Sequence, residues 1–451
     1  MSHSFHSRAL ILCPACLAVS MTAWAQAEDR DRELEDLRQR VQALEEQARQ
    51  EKAAQKSPEG EAPAGSGVEL RPPWEREALE TPPPLRGVYD KPFLVSLWRK
   101  AYLGGYTELE YHSFKDEVLG VPRGFRAHRT NLFAYADISD YVRFGSEIEF
   151  ENEEPGEDLE VKVEMAWVDW MLFEELALRG GAILVPLGRL NVNHDGPVRE
   201  ISDRPLVSTF VIPTTLTEAG VGLHGRVRLG GSASASYEAY AVNGFSILER
   251  DGSLAAPVAE SAQLLREGRP SLGGDNNSAP AGTGRVAFQL ASLLEAGGSW
   301  HVGTYDERND NVLSIVAGDA AVVHGPFALE GEVAWAGFER DDFAETAGVP
   351  QRYWGYYVQA SASHMPEVLR SAVPHVFAGD GAAFTVVARY DWIDLDGDRA
   401  QAIEPGINFR PIADTVFKFS YRFGLTRLGS GSPPGRGMDD DGFVFSLSTY
   451  F

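Results

Sequence analysis

Residues 443–451 read FVFSLSTYF. Phe443, Phe445, Leu447 and Phe451 lie two or four apart, and Val444, Ser446, Ser448 and Tyr450 fall between them. A period of two is the mark of a β-strand with two chemically different faces. A soluble domain gains nothing from an exposed aromatic at its last residue. A strand facing lipid does, if it also closes a barrel against the first strand, because a sheet in a membrane can leave no edge unpaired. The alternative reading of these nine residues is an edge strand of a soluble β-domain.

The same alternation recurs upstream. Leu103, Thr107, Leu109 and Tyr111 take one face and Tyr106, Glu108 and Glu110 the other. Val142, Phe144, Ile148 and Phe150 oppose Arg143, Glu147 and Glu149. Val161, Val163 and Met165 oppose Lys162 and Glu164. Val221, Leu223, Val227 and Leu229 oppose His224, Arg226 and Arg228. Phe327, Leu329, Val333 and Trp335 oppose Glu330 and Glu332. Phe384, Val386, Ala388, Tyr390 and Trp392 oppose Arg389 and Asp391, and Phe417, Phe419, Tyr421 and Phe423 oppose Lys418 and Arg422.

A β-sandwich also alternates, but two features favour a barrel. The apolar faces carry aromatics at their ends, as an interfacial girdle requires. The connections also alternate in length. Short turns are expected at Ser139-Asp140, Gly230-Gly231, Gly297-Gly298, Gly325-Pro326 and Ala413-Asp414. Longer loops are expected at 113–124, 152–158, 187–217, 246–282, 339–351 and 427–440. Residues 363–381 break the rule, running long where a turn belongs. The expected fold is all-β: a transmembrane antiparallel barrel of about 16 strands over 99–451.

Composition agrees. The net charge is −25, and residues 86–451 alone hold 51 acidic and 31 basic residues, which argues against nucleic acid as a partner. Mean hydropathy is −0.23, as a barrel with only alternate residues in lipid allows. Cys13 and Cys16 are the only cysteines, which removes disulfides and thiolate metal sites from the rest of the chain. No HExxH or GxSxG occurs, so no enzyme, metal or cofactor is expected. Asp394-Leu-Asp396-Gly-Asp398 has part of a calcium loop without its distal Glu.

Three segments precede the barrel. Residues 1–25 read as a secretory signal, with Arg8, an apolar run from Ala9 to Val19, and cleavage after Ala23-Trp24-Ala25. Lipidation at Cys16 is the rival. In 26–50, Leu34, Leu37, Val41, Leu44 and Ala48 are spaced 3, 4, 3, 4, a short heptad seam that needs a barrel oligomer to gather its copies. Residues 51–98 are a Pro-rich linker.

A barrel of this size is too wide for side chains to fill, so something must narrow it. The 187–217 loop follows Pro186, where strand pairing ends. It offers Arg189, His194, Asp195, Arg199, Glu200, Asp203 and Arg204 as constriction residues. These charges could set a field that filters solutes, or pin the loop to the wall, or do both. Arg143, Glu147, Glu149, Lys162, Glu164, Arg226, Arg228, Arg389, Lys418 and Arg422 are expected in the lumen, with Arg285, Glu108, Glu110, Glu330, Glu332 and Asp391.

These residues resemble the phosphate-selective porin family (O and P type). GFRAHRTNLFAYADI (124–138) is similar to its basic second strand, and LRGGAILVPLG (178–188) to the strand that leads into its constricting loop. Asp203-Arg204-Pro205 with AGVGLHG (219–225) fits the return. AYAVNGF (239–245), YWGYYVQAS (353–361), RYDWIDLDGD (389–398) and GINFRP (406–411) resemble later strands. The terminal Phe resembles an outer-membrane assembly signal, with Thr449 in place of its usual apolar residue. Two departures stand out: SASHMPEVLR (361–370) replaces a tight turn, and the lysine run of phosphate-selecting members has no counterpart. The resemblance implies a 16-stranded barrel, a homotrimer, in the outer membrane with its lipid and lipopolysaccharide, its N-terminal arm in the periplasm. It further implies passive diffusion of small hydrophilic solutes or anions. A structural anchor that uses the heptad arm as a tether is the competing expectation.

Overall fold

The computed structural model describes residues 101–114, 124–152, 159–173, 175–256, 263–426 and 441–451, and the backbone of Val95–Trp98. The expected leader, heptad helix and nearly all of the linker fall outside the described residues. Strands run in chain order: β1 (Val95–Trp98), β2 (Ala101–Phe114), β3 (Gly124–Asp137), β4 (Val142–Glu151), β5 (Glu160–Phe173) and β6 (Leu176–Leu184). Then come β7 (Thr217–Gly230), β8 (Ala233–Val242), β9 (Ala281–Leu290), β10 (Leu294–Thr304), β11 (Val312–His324) and β12 (Phe327–Phe338). The last five are β13 (Arg352–His364), β14 (Ala383–Leu395), β15 (Asp398–Ile412), β16 (Thr415–Thr426) and β17 (Gly442–Tyr450).

Each strand from β2 onward pairs antiparallel with the next, and β17 pairs back onto β2. Sixteen strands therefore form a closed barrel, while the short β1 adds to the end of β2. At the seam Ser446 stands opposite Glu110 and Tyr450 opposite Tyr106. Gly105 and Phe451 exchange backbone hydrogen bonds of 3.1 and 2.9 Å. The Phe451 ring lies over Gly105, where a Cβ would meet the Asn131 carbonyl and come within 2.7 Å of the ring. Gly105→Val is therefore expected to lower the folded, heat-modifiable fraction at least several-fold, because it wedges open the last junction to form. Normal yield by gel shift would refute this.

Alternation decides which way side chains point. Val221, Val386 and Phe327 are 61, 62 and 63% exposed, whereas Glu108, Glu147 and Lys418 are each 1% exposed. The apolar faces thus turn outward and the charged faces inward, the reverse of a sandwich. Outward aromatics gather at both ends. Phe409 stacks on Phe384 and Phe417 at 4.8 and 6.3 Å near one rim, and Trp392 meets Trp354 and Tyr356 at 4.2 and 5.8 Å near the other.

The connections sort by rim as expected, with two corrections, and one strand departs from its expected alternation. Gly297-Gly298 is not a turn; it lies inside β10, opposite Asp319 and Gly318, and the turn falls at 291–293. Gly297 is needed there because a Cβ would run into the Arg285 guanidinium. Asp396-Gly397 is a two-residue hairpin with φ of 57° and 107°, joining β14 to β15 on the long-loop rim. Asp394 serves that turn rather than an ion: its carboxylate accepts from Gly397 N and Arg399 Nε, both at 2.8 Å. Met165 points inward, 1% exposed, because a bulge in β5 opposite Glu147 and Ile148 shifts the alternation by one.

The interior is not uniformly wet. The 185–216 segment folds in from the long-loop rim and carries a short helix, α1 (Leu206–Phe210). Leu206, Val207, Phe210, Val211 and Ile212 are buried in one apolar cluster with the inward side chains Ile315, Ala336, Tyr353, Tyr357 and Ile393. Phe245, Ile247, Leu248 and Leu265 from the β8–β9 loop, which holds α2 (Leu264–Glu267), join that cluster. Ala344 of α3 (Asp342–Ala347) and Val349 close it from the β12–β13 loop. Asp341 caps α3 by accepting from Ala344 N at 2.8 Å, and this bond holds its carboxyl below the usual range. The long connection after β13 forms α4 (Glu367–Ala372) and α5 (Pro374–Phe377) on the other rim.

Candidate functional site

Chain direction explains how the inward segment is held. Pairing of β6 stops at Leu184, and Pro186 cannot donate to a ladder. The Asn191 side chain then clasps both ends of the segment: Nδ2 donates to Val185 O at 2.7 Å and Leu216 O at 3.1 Å, and Oδ1 accepts from Leu216 N at 2.8 Å. Glu332 on β12 accepts from Arg189 N at 2.5 Å, Leu190 N at 3.1 Å and Ser208 Oγ at 3.2 Å. One wall carboxylate thus holds the entry to the segment and the helix α1.

Acids of the segment meet bases of β14–β16. Glu200 accepts from Arg410 Nη2 at 3.1 Å and Asn408 Nδ2 at 2.6 Å. The Asp203 carbonyl accepts from Arg389 Nη1 at 2.7 Å, and its carboxylate stands 3.9 Å from Arg422. Arg389 also pairs with Asp391 at 2.8 Å and Glu404 at 2.9 Å. Lys418 donates to Gly196 O at 2.6 Å. Asp195 accepts from Tyr450 OH at 2.8 Å.

Bases of the segment meet acids elsewhere on the wall. Arg189 pairs with Glu330 at 3.0 Å. His194 lies between Asn191 O at 2.9 Å and Glu164 at 3.1 Å. Arg199 approaches Glu108 at 3.6 Å, and so does Lys418. Arg204 bonds to the Thr214 carbonyl and, at 3.3 Å, to Thr215 Oγ1. Every residue expected at the constriction therefore lies inside the barrel, and the cross-pairing pins the segment to its wall.

The lumen expectation divides. Glu147, Glu149, Glu164, Arg389, Lys418 and Arg422 are buried in the barrel interior, with the first three clustered on β4 and β5. Four others are displaced by their position along a strand. Arg143 is exposed near the turn rim and pairs with Asp137 at 3.1 Å. Lys162 sits at the loop end of β5, pairing with Glu160 at 2.9 Å and Glu151 at 3.5 Å. Arg226 and Arg228 are exposed on the turn-side half of β7. Arg226 lines a cavity of about 390 Å³ roofed by Val192 and Asn193.

Arg129 is the main residue the sequence reading missed. Strict alternation puts it on the lipid side, with Ala127. A bulge opposite Glu108 and Leu109 turns both His128 and Arg129 inward, where Arg129 meets Glu108 at 3.2 Å and Glu149 at 3.3 Å. Arg410 and Asn408 were also missed. Their signal was present, since they alternate with Ile407 and Phe409.

Three cations, Arg129, Arg199 and Lys418, thus converge on the one carboxylate Glu108, and Arg204 stands within electrostatic reach of Arg129 and Arg199. Among the described residues, Arg199 Nε, Arg204 Nε, and Arg422 Nε and Nη2 are buried without a hydrogen-bond acceptor. Glu108, Glu110 and His128 also come together as a possible metal triad. His128 Nε2, however, lies 2.7 Å from Arg129 Nη2, which can only donate, so the ring proton belongs on Nδ1 and blocks that ligand atom.

Removal of α1's anchor gives a direct check on the packing. Phe210→Ala should destabilise the seated segment by about 3–5 kcal/mol through the cavity it leaves, while the barrel's own ladders stay paired. Limited proteolysis should then cut within 185–216 at least several-fold faster; equal protection would contradict the packing.

Comparison with known proteins fits this geometry. An uncharacterised protein of Aquifex aeolicus (strain VF5) is 33% identical over 217 residues, which span 47% of this chain and 47% of that protein, about half its length. The anion-selective porin from Comamonas acidovorans covers 78% of this chain and 99% of its own, with a TM-score of 0.50 and 14% identity. The outer-membrane channel DcaP of Acinetobacter baumannii covers 78% and 97%, at a TM-score of 0.46 and 13% identity. The family described as phosphate-selective porin O and P matches residues 115–428, and with a closed 16-stranded barrel narrowed by an inward segment, this chain belongs to that family.

Proposed function

We propose that the protein is an outer-membrane diffusion channel for small hydrophilic solutes, with a preference for small anions, phosphate among them. The observation that carries this is the cluster of cations, Arg129, Arg199, Arg204, Lys418 and Arg422, that gathers where the inward segment meets the wall, with Arg199 and Arg422 standing 3.6 and 3.9 Å from the carboxylates of Glu108 and Asp203. Largely buried between the segment and the wall, these cations act on a passing anion through their field rather than by direct hydrogen bonds. At an effective dielectric of about 20, one unit charge 4 Å away contributes about 4 kcal/mol, enough to decide which ions enter a narrow path. Arg226 and Arg228, exposed on the turn side, would add a weaker field at the exit.

The finer reading follows the same line. The barrel is a homotrimer whose outward belt meets lipid and, at the loop rim, lipopolysaccharide. Its N-terminal arm stays in the periplasm. No covalent chemistry is part of the function. Reversal potential in a planar bilayer under a KCl gradient tests the proposal. A potential on the anion side is expected, while a folded barrel that passes no current, or passes mainly cations, would reject it.

A further inference from the structure

The connection between β13 and β14 does not serve the pore. It occupies residues 365–382 on the turn rim, where the other described connections have two to four residues. Phe377 of α5 packs at 6.0 Å on Phe384 and 5.4 Å on Phe409, both on the lipid face of the wall. Farther along, Ala413 N donates to Asp380 O at 3.0 Å, so the excursion reaches across β14 and β15 to the next turn. Phe377 and the residues that follow it therefore lie against the outside of the cylinder, at the level of one aromatic girdle.

Its own chemistry matches that place. Leu369, Val373 and Phe377 are spaced four apart, with Val376 beside Phe377; Arg370 and His375 fall between them and Glu367 precedes them. Val368 is 78% exposed, the most exposed large apolar side chain among the described residues. We infer that α4 and α5 form a foot lying in the headgroup region of the periplasm-side leaflet, with phospholipid as its partner. Continuity selects lipid over a second copy of the chain. The outward face directly above the foot carries Val386, Tyr390, Ile403, Ile407 and Phe419, an unbroken part of the belt that meets acyl chains. An amphipathic segment continuous with that belt, and ending it at the interface, has the pattern of an interfacial anchor. The inference rests on the barrel being membrane-embedded, and the experiment separates the two.

Cys13 and Cys16 lie in the expected leader, so one introduced thiol can carry an environment-sensitive fluorophore such as NBD. The full-length barrel is labelled at Val368→Cys or Val376→Cys and reconstituted in phosphatidylcholine vesicles with brominated acyl chains. Val386→Cys in the belt and Asp396→Cys in the far hairpin are the references. Bromine quenching at 368 and 376 should reach about half that at 386, with none at 396. Quenching at 386 without quenching at 368 or 376 overturns the foot and leaves the barrel intact. Blue-shifted but unquenched emission at 368, which marks cover by a second copy, also overturns it. No quenching at 386 refutes membrane embedding itself.

Discussion

Glu332→Ala is expected to release the inward segment at its entry and at α1 together. Three buried donors, Arg189 N, Leu190 N and Ser208 Oγ, lose their acceptor. At about 1–3 kcal/mol for each orphaned group, the seat is weakened by about 3 kcal/mol or more, comparable to the stability of the segment's packing. The sheet does not depend on this carboxylate, because β12 keeps its ladders to β11 and β13. The barrel should stay heat-modifiable while single-channel conductance rises several-fold and grows noisy. Glu332→Gln retains one acceptor oxygen and should fall between. Unchanged conductance with an intact, protease-resistant segment would show that the seat lies elsewhere.

The second large effect concerns selectivity. Arg199→Gln with Arg422→Gln removes two charges that face carboxylates only at 3.6 Å, from Glu108, and 3.9 Å, from Asp203. A unit charge about 10 Å from a permeating ion is worth about 1–2 kcal/mol at an effective dielectric near 20. Each substitution should then lower the anion-to-cation permeability ratio about tenfold, since 1.4 kcal/mol is a factor of ten. Reversal potential should move accordingly, and the lysine pair Arg199→Lys with Arg422→Lys should hold it near the starting value. A potential that the glutamine pair leaves in place would separate these arginines from the ion path.

Much of the architecture was legible because a period of two leaves little freedom. Once Phe443, Phe445 and Leu447 face lipid, Ser446 and Ser448 must face in, and the same holds for Val221 against His224 and for Val386 against Arg389. Pro186 marked where the wall ends and the inward segment begins, so the stretch that carries the seven residues expected at the constriction could be read as one that leaves the wall. Bulges were not legible. The extra residue at His128-Arg129, or at Glu164-Met165, carries no Gly or Pro, and only the partner strand's register reveals it. The glycine pair at 297–298 misled for a related reason: Gly297 leaves room for the Arg285 guanidinium inside β10 and makes no bend.

The dry side of the interior was missed through over-reliance on alternation. In β11, Leu313, Ile315 and Ala317 point inward while Val316 points outward, so both faces are apolar. A run such as VLSIVAGDAAVV (312–323) reads as a strand covered on both sides, which requires an apolar partner inside the barrel. Leu206, Val207 and Phe210 supply it from more than a hundred residues upstream. That pairing of distant segments leaves no local signature.

The distance between those partners bears on biogenesis. Leu206 to Ile212 are synthesised before β11–β14, which supply most of the wall they pack on. Until those strands arrive, five large apolar side chains lack the wall that buries them. Once β17 has zipped to β2, the charged stretch at 194–204 could reach its partners only through the mouth of a finished cylinder. Threading a helix into place is simpler while the sheet is still open, so seating of the segment is expected to precede closure of the seam between β17 and β2.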